Sequence, residues 1–230
     1  MKFAVLGTGM VGRAIAARLA QLGHETVIGT RDVDATLART DTDAMGTPPF
    51  REWQQGVPGV ALKAFDEVGA NAEIIVNATS GQASLAALEA VGTAALAGKI
   101  VIDIANPLDF SNGMPPVLSV ANTDSLGEQI QRAYPGARVV KTLNTMNASV
   151  MIDPARVPGQ HNVFLAGEDS AAKATVGALL ADFGWPAGAV IDLGGIRAAR
   201  GTEMYLPLWL SLWGALGTGD FNIAVVRGQH

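Results

Sequence analysis

The stretch that most constrains this chain is VLGTGMVG at residues 5–12. It sets Gly7, Gly9 and Gly12 in a G-x-G-x-x-G spacing, directly after a short β-type run and at the opening of a helical pattern. In that setting the first glycine permits a tight turn, the second lets backbone approach a pyrophosphate, and the third lets the helix pack closely on the strand. Thr8, Met10 and Val11 fill the positions between, where the free N–H groups and positive dipole end of the helix would face phosphate. Val11, Ile15, Leu19 and Leu22 then recur at helical spacing, with Gly23 as the stop.

The same rhythm continues along the chain. KFAVLG, ETVIGT, VALK, EIIVNAT, KIVIDIA and RVVKTLN read as six successive strands with helical patterns between them, interrupted at 40–59 by a Pro- and Gly-rich excursion expected to lie beside the dinucleotide. After residue 160 come a strand NVFLAG, a helix SAAKATVGALLADFG, a strand AVIDLG, a long apolar helix from about 202 and a final strand FNIAVV. The order predicts an α/β fold, a Rossmann-type doubly wound, mostly parallel sheet over residues 1–160 followed by a small C-terminal α/β domain over 161–230.

Bulk properties narrow the function. A chain of 230 residues, 49% of them hydrophobic, can bury a sizeable core, and with no cysteine it has no disulfide, thiolate nucleophile or Cys-ligated metal. The 16 Lys and Arg are scattered and the net charge is −5, which offers no footprint for nucleic acid. The apolar run before the glycine turn is too short for a signal peptide, and MYLPLWLSLWGALG at 204–217 is too short and too Pro-broken to span a bilayer, so a cytoplasmic protein without membrane partners is expected.

Strand two ends in VIGTRD at 27–32, beside the expected adenosine ribose. An acid there would favour a free 2′-hydroxyl; Thr30 and Arg31 instead suit a 2′-phosphate and hence NADP(H), the alternative being that Thr30 and Asp32 cap the next helix while Arg31 is solvated. Beyond strands four and five, Ala78, Thr79 and Ser80 of NATSG and the IANP turn carrying Asn106 leave room for the nicotinamide and its ribose, or are ordinary turn chemistry. Asn144, ending strand six, faces the nicotinamide or a second substrate, or caps. Neither Tyr134 nor Tyr205 has a lysine four residues on, Lys173 lacks an asparagine four residues on, and His24, His161 and His230 lack metal-ligand spacing. With no catalytic acid or base and no metal site expected, the chemistry that fits is hydride transfer between two redox cofactors, which requires alignment above all.

LGTGMVG, LGHETVIGTRD, VVKTLNTMNA and the ending DLGGIRAARGTEMYLPLWLSLWGALGTGDFNIAVV together resemble the NADPH-dependent reductases of the deazaflavin coenzyme F420, in which an Asp-x-Gly turn precedes an Arg-x-x-Glu-x-x-x-Pro-Leu helix, matched here by Arg200, Glu203, Pro207 and Leu208. The resemblance implies a homodimer that stacks deazaflavin on nicotinamide in a cleft between the domains. It places Thr8, Gly9, Met10 and Val11 on the pyrophosphate, Thr30 and Arg31 on the 2′-phosphate, Ala78, Thr79 and Ser80 at the nicotinamide ribose, and Asn144, Met146 and Gly195 around the deazaflavin. The chain departs from archaeal members in carrying Asn144 where they have histidine, and the less basic DVDATLAR after Arg31. An NADPH-dependent flavin or quinone reductase and a non-catalytic NADP(H) sensor are the alternatives.

Overall fold

The computed structural model describes residues 1–43 and 46–228; His230 and the tip of the 40–59 excursion at Ala44 and Met45 lie outside the described residues. In chain order the elements are β1 (Lys2–Leu6), α1 (Met10–Gln21), β2 (Glu25–Thr30), α2 (Val33–Ala38), α3 (Phe50–Gln55), β3 (Ala61–Ala64), α4 (Phe65–Val68), β4 (Ile74–Asn77), α5 (Ser84–Val91), α6 (Thr93–Leu96) and β5 (Ile100–Asp103). They continue with β6 (Leu108–Asp109), β7 (Val117–Leu118), α7 (Leu126–Ala133), β8 (Arg138–Thr142), α8 (Ala148–Ile152), β9 (Val163–Ala166), α9 (Ser170–Phe183), β10 (Val190–Asp192), α10 (Ala199–Met204) and α11 (Leu206–Leu216).

Eight strands form one sheet in the order β10-β9-β8-β5-β4-β1-β2-β3, with β6 and β7 pairing separately. From β3 to β8 every pairing is parallel, the doubly wound arrangement expected, and the order reverses between β1 and β4. Because side chains alternate across a strand, Phe3 and Val5 of β1 pack on one face with α1, α8 and α9, while Ala4 and Leu6 pack on the other with α4, α5 and α7. Burial on both faces explains why β4 and β5 read as unbroken apolar runs.

The C-terminal segment departs from expectation in two respects. FNIAVV forms no strand: Asn162 N–H donates to the Ile223 carbonyl, Val225 N–H to Asn162 Oδ1 and Asn222 Nδ2 to the Asn162 carbonyl, so the segment is tied mainly to Asn162 and builds no ladder. The long helix begins at Ala199 and divides at Tyr205, with Pro207 in the opening turn of α11, where its missing N–H costs nothing. The strands after residue 160 join the first sheet, β9 running antiparallel to β8 and β10 parallel to β9.

Candidate functional site

The glycine turn closes tightly on the sheet. Gly7 has φ +113, and a Cβ on it would lie 2.6 Å from the Ala78 carbonyl oxygen; one on Gly12 would lie 2.1 Å from the Gly7 carbonyl oxygen. Gly9, the N-cap of α1, has nothing within 4 Å of a built Cβ, so the backbone lies open where a pyrophosphate would approach the helix end. These three environments match the three glycine roles.

The turn is fastened by a residue that the helical pattern hides. Arg13, 6% exposed, donates from Nε to the Thr8 carbonyl (2.7 Å) and from an Nη to the Pro48 carbonyl (2.5 Å), and its guanidinium lies 5.3 Å from the Phe50 ring centroid and 5.9 Å from that of Trp53. Burial lowers its pKa, opposed by Asp43. The excursion is thereby held against the glycine turn.

At the end of β2, Thr30 and Arg31 part company. Thr30 is buried, its hydroxyl 2.9 Å from that of Thr36, whose own proton goes to the Asp32 carbonyl (2.6 Å). Thr30 therefore donates to Thr36, and its hydroxyl joins β2 to α2. Asp32 is the N-cap of α2, accepting from Ala35 N–H at 2.8 Å, while Arg31 is exposed.

Beyond the ends of β4, β5 and β8 lies a cavity of about 200 Å³. It gathers Val11, Ala78, Thr79, Ser80, Asn106, Asn144 and Met146 from the expected set, and adds Phe110, Met151, Leu206 and Trp209. None of its lining residues is ionisable. Asn106 and Asn144 are locked together, Asn106 Nδ2 donating to the Asn144 carbonyl (2.8 Å) and Asn144 Nδ2 to Asn106 Oδ1 (2.9 Å). Leu143, just before, takes φ +62, a left-handed conformation costly for a branched side chain, and this turns Asn144 away from the strand direction. The Trp209 indole N–H is buried without a partner among the described residues. Gly195 does not line the cavity; it sits where a Cβ would meet Glu168 Oε1 at 2.7 Å, and that oxygen accepts from Ile196 N–H.

Behind the cavity floor runs a buried charged row. Lys141 Nζ lies 2.9 Å from Asp103 Oδ2 and 2.8 Å from Glu203 Oε1, with the side chains of all three at most 1% exposed. Burial presses the Lys141 pKa down, but the two carboxylates more than offset it and hold the ammonium above its ordinary value. Nearby, Arg200 grips Glu128 with two bonds of 2.7 and 2.6 Å and lowers the Glu128 pKa. The sequence pattern flagged Arg200 and Glu203 only through family likeness; an acid and a lysine ending adjacent apolar strands was the available signal for Asp103 and Lys141.

A second, larger cavity, about 930 Å³, lies away from these residues, between the 154–162 turn, Trp185 and the C-terminal tail. Among the described residues there is no cluster of three or more His, Asp or Glu able to hold a metal, and no helix long and apolar enough to cross a membrane.

A mostly parallel sheet with a glycine-lined crevice at its switch point and an apolar cavity beside it defines a dinucleotide-dependent oxidoreductase. Residues 2–107 match the family described as NADP oxidoreductase, coenzyme F420-dependent. The chain is 30% identical over 216 residues to the F420-dependent NADP reductase of Methanothermobacter marburgensis, covering 92% of each. A crystal structure from Arthrobacter sp. FB24, provisionally assigned as an F420-dependent NADP-reductase, is 60% identical, with a TM-score of 0.92 over 99% of this chain and 100% of that one. Metalloreductase STEAP3 of Rattus norvegicus is 27% identical over 212 residues, 90% of this chain, and this chain spans 38% of its length. The protein belongs to the F420-dependent NADP reductase family and is an NADP-dependent oxidoreductase.

Proposed function

We propose that the protein transfers hydride between NADP(H) and a deazaflavin of the F420 type, both held at the ends of β4, β5 and β8. The observation that carries this reading is the cavity: it adjoins the glycine turn through Val11, has no ionisable lining, and is walled by Leu206 and Trp209 of α11. When bound, the nicotinamide supplies the hydride at C4 and the deazaflavin receives it at C5. The protein's part is alignment and exclusion of water, for which an apolar wall and amide anchors suffice.

In this reading Thr8, Gly9, Met10 and Val11 hold the pyrophosphate on the N-terminus of α1, and Arg31 pairs with the 2′-phosphate. Ala78, Thr79, Ser80 and Asn106 flank the nicotinamide ribose, while Asn144, Met146 and the unpartnered Trp209 N–H meet the acceptor, the last suited to a ring carbonyl. We further propose a homodimer formed over α11, whose Leu208, Trp213 and Leu216 are 56%, 37% and 57% exposed.

The test is to mix the protein with NADPH and, separately, F420, FMN and a quinone, following absorbance of the nicotinamide and of each acceptor. Stoichiometric oxidation of NADPH with F420 alone is the expected result. Turnover confined to FMN or quinone would overturn the choice of acceptor.

A further inference from the structure

The buried row behind the cavity has a geometry that stability does not explain. Asn77 of β4, Asp103 of β5 and Lys141 of β8 are register partners across three adjacent parallel strands, at the ends nearest the cavity. All three ammonium protons are used: on Asp103 Oδ2, on Glu203 Oε1 and on the Ala105 carbonyl. Asp103 Oδ1 accepts from Asn77 Nδ2 (2.9 Å) and Ala105 N–H (3.2 Å), and Asn77 Oδ1 accepts from the Thr79 hydroxyl (2.7 Å). Glu203 accepts from the Leu126 and Gly127 N–H groups at 2.8 and 3.0 Å, which ties α10 to the start of α7.

A buried ion pair is often matched in stability by apolar residues of similar volume. What it supplies here is direction: every polar side-chain atom of the row is engaged, and the partners at its cavity end include Thr79 and Ala105, both lining the cavity. At the other end, Glu203 precedes Leu206 and Trp209 by three and six residues, so the same row carries the opposite wall.

We propose that Lys141, acting through Asp103 and Glu203, is the positioning residue of this site: it fixes the turns after β4 and β5 relative to α10 and α11, and so sets where the reactive end of the dinucleotide rests. The inference rests on reading the cavity as the nicotinamide site.

Lys141→Met would leave two carboxylates facing each other in the interior and is expected to unfold the chain, so the deciding variant is Asp103→Asn, which keeps Lys141 paired with Glu203. Three readouts are taken: steady-state kinetics with NADPH, affinity for adenosine 2′,5′-bisphosphate, and the fluorescence lifetime of bound NADPH, which reports how firmly the nicotinamide is held. Because misplacement by about 1 Å costs on the order of 100-fold in rate, kcat is expected to fall at least about 30-fold. The KM for NADPH and the bisphosphate affinity should stay within about threefold, since the adenosine half binds between the glycine turn and the end of β2, and the lifetime should shorten toward that of free NADPH.

Arg200→Gln serves as the control. It breaks the Arg200–Glu128 pair at the same α10–α7 junction and should lower the melting temperature while leaving kcat and lifetime unchanged. An Asp103→Asn protein with wild-type kcat and lifetime would overturn the proposal. So would equal losses in kcat and bisphosphate affinity, or an Arg200→Gln protein with the same kinetic defect. If the wild type oxidises NADPH with none of the acceptors, the functional reading fails, and the lifetime comparison alone decides the positioning role.

Discussion

Replacing Arg31 and Thr30 one at a time separates two residues that the sequence makes look like a pair. Arg31 is exposed at the end of β2, free to reach a 2′-phosphate; Thr30 is buried with its proton committed to Thr36. A charge-assisted hydrogen bond contributes about 1.5–3 kcal/mol, and exposure with salt screening puts Arg31 at the lower end. At about 1.4 kcal/mol per decade, Arg31→Ala should cost roughly 10- to 30-fold in NADPH affinity and leave NADH affinity unchanged. Thr30→Val should leave the NADPH/NADH ratio alone and lower stability by about 1 kcal/mol through loss of its bond to Thr36. The assay is fluorescence titration with both nucleotides at low and high ionic strength, together with denaturant unfolding. The wild-type preference should weaken as salt rises, and that of Arg31→Ala should barely respond. A ratio that moves less than threefold in Arg31→Ala, or further in Thr30→Val than in Arg31→Ala, would refute the assignment.

Gly12→Ala is expected to abolish NADPH binding, because its Cβ would lie 2.1 Å from the Gly7 carbonyl oxygen and must push the glycine turn off the helix; calorimetric titration reads the loss, and affinity within threefold of wild type would contradict it. Arg200 holds the Glu128 pKa below its ordinary value, so that bond stabilises the fold above the unfolded carboxylate pKa of about 4.3 and is lost as pH falls through the lower folded value. Melting curves of Arg200→Gln should accordingly lie below wild type at neutral pH and converge with it on acidification; a gap that stays constant with pH would count against the pairing. For the homodimer, Leu208→Ser with Leu216→Ser should shift the sedimenting species from dimer to monomer, and an unchanged mass would remove α11 from the interface.

How far the sequence could be read depended on whether a residue's role is set by its neighbours in the chain or by its neighbours in space. Gly7, Gly9 and Gly12 were legible because a turn, an open approach and a 2.1 Å contact each exclude any side chain, and all three constraints fall within six residues. β1, β4 and β5 were legible because burial on both faces leaves an apolar run that no amphipathic helix shares, whereas β6 and β7, two residues each, carry no such run and were not expected. FNIAVV is similarly apolar, yet among the described residues it pairs with no strand of the sheet. A hydroxyl gives no local sign of its partner, so Thr30 read as a phosphate ligand when Thr36 had already taken its proton. Nothing local marks Arg13 as buried, because Phe50 and Trp53, which cover it, lie more than thirty-five residues away. The Arg-x-x-Glu spacing is the instructive case: three residues apart on α10, Arg200 and Glu203 share one face and both reach the beginning of α7. One ends at the largely buried carboxylate of Glu128 and the other at the fully enclosed Lys141, so a single local pattern serves a partly buried clasp and the buried row behind the cavity, and only the sheet register, which brings Asp103 beside Lys141, tells the two apart.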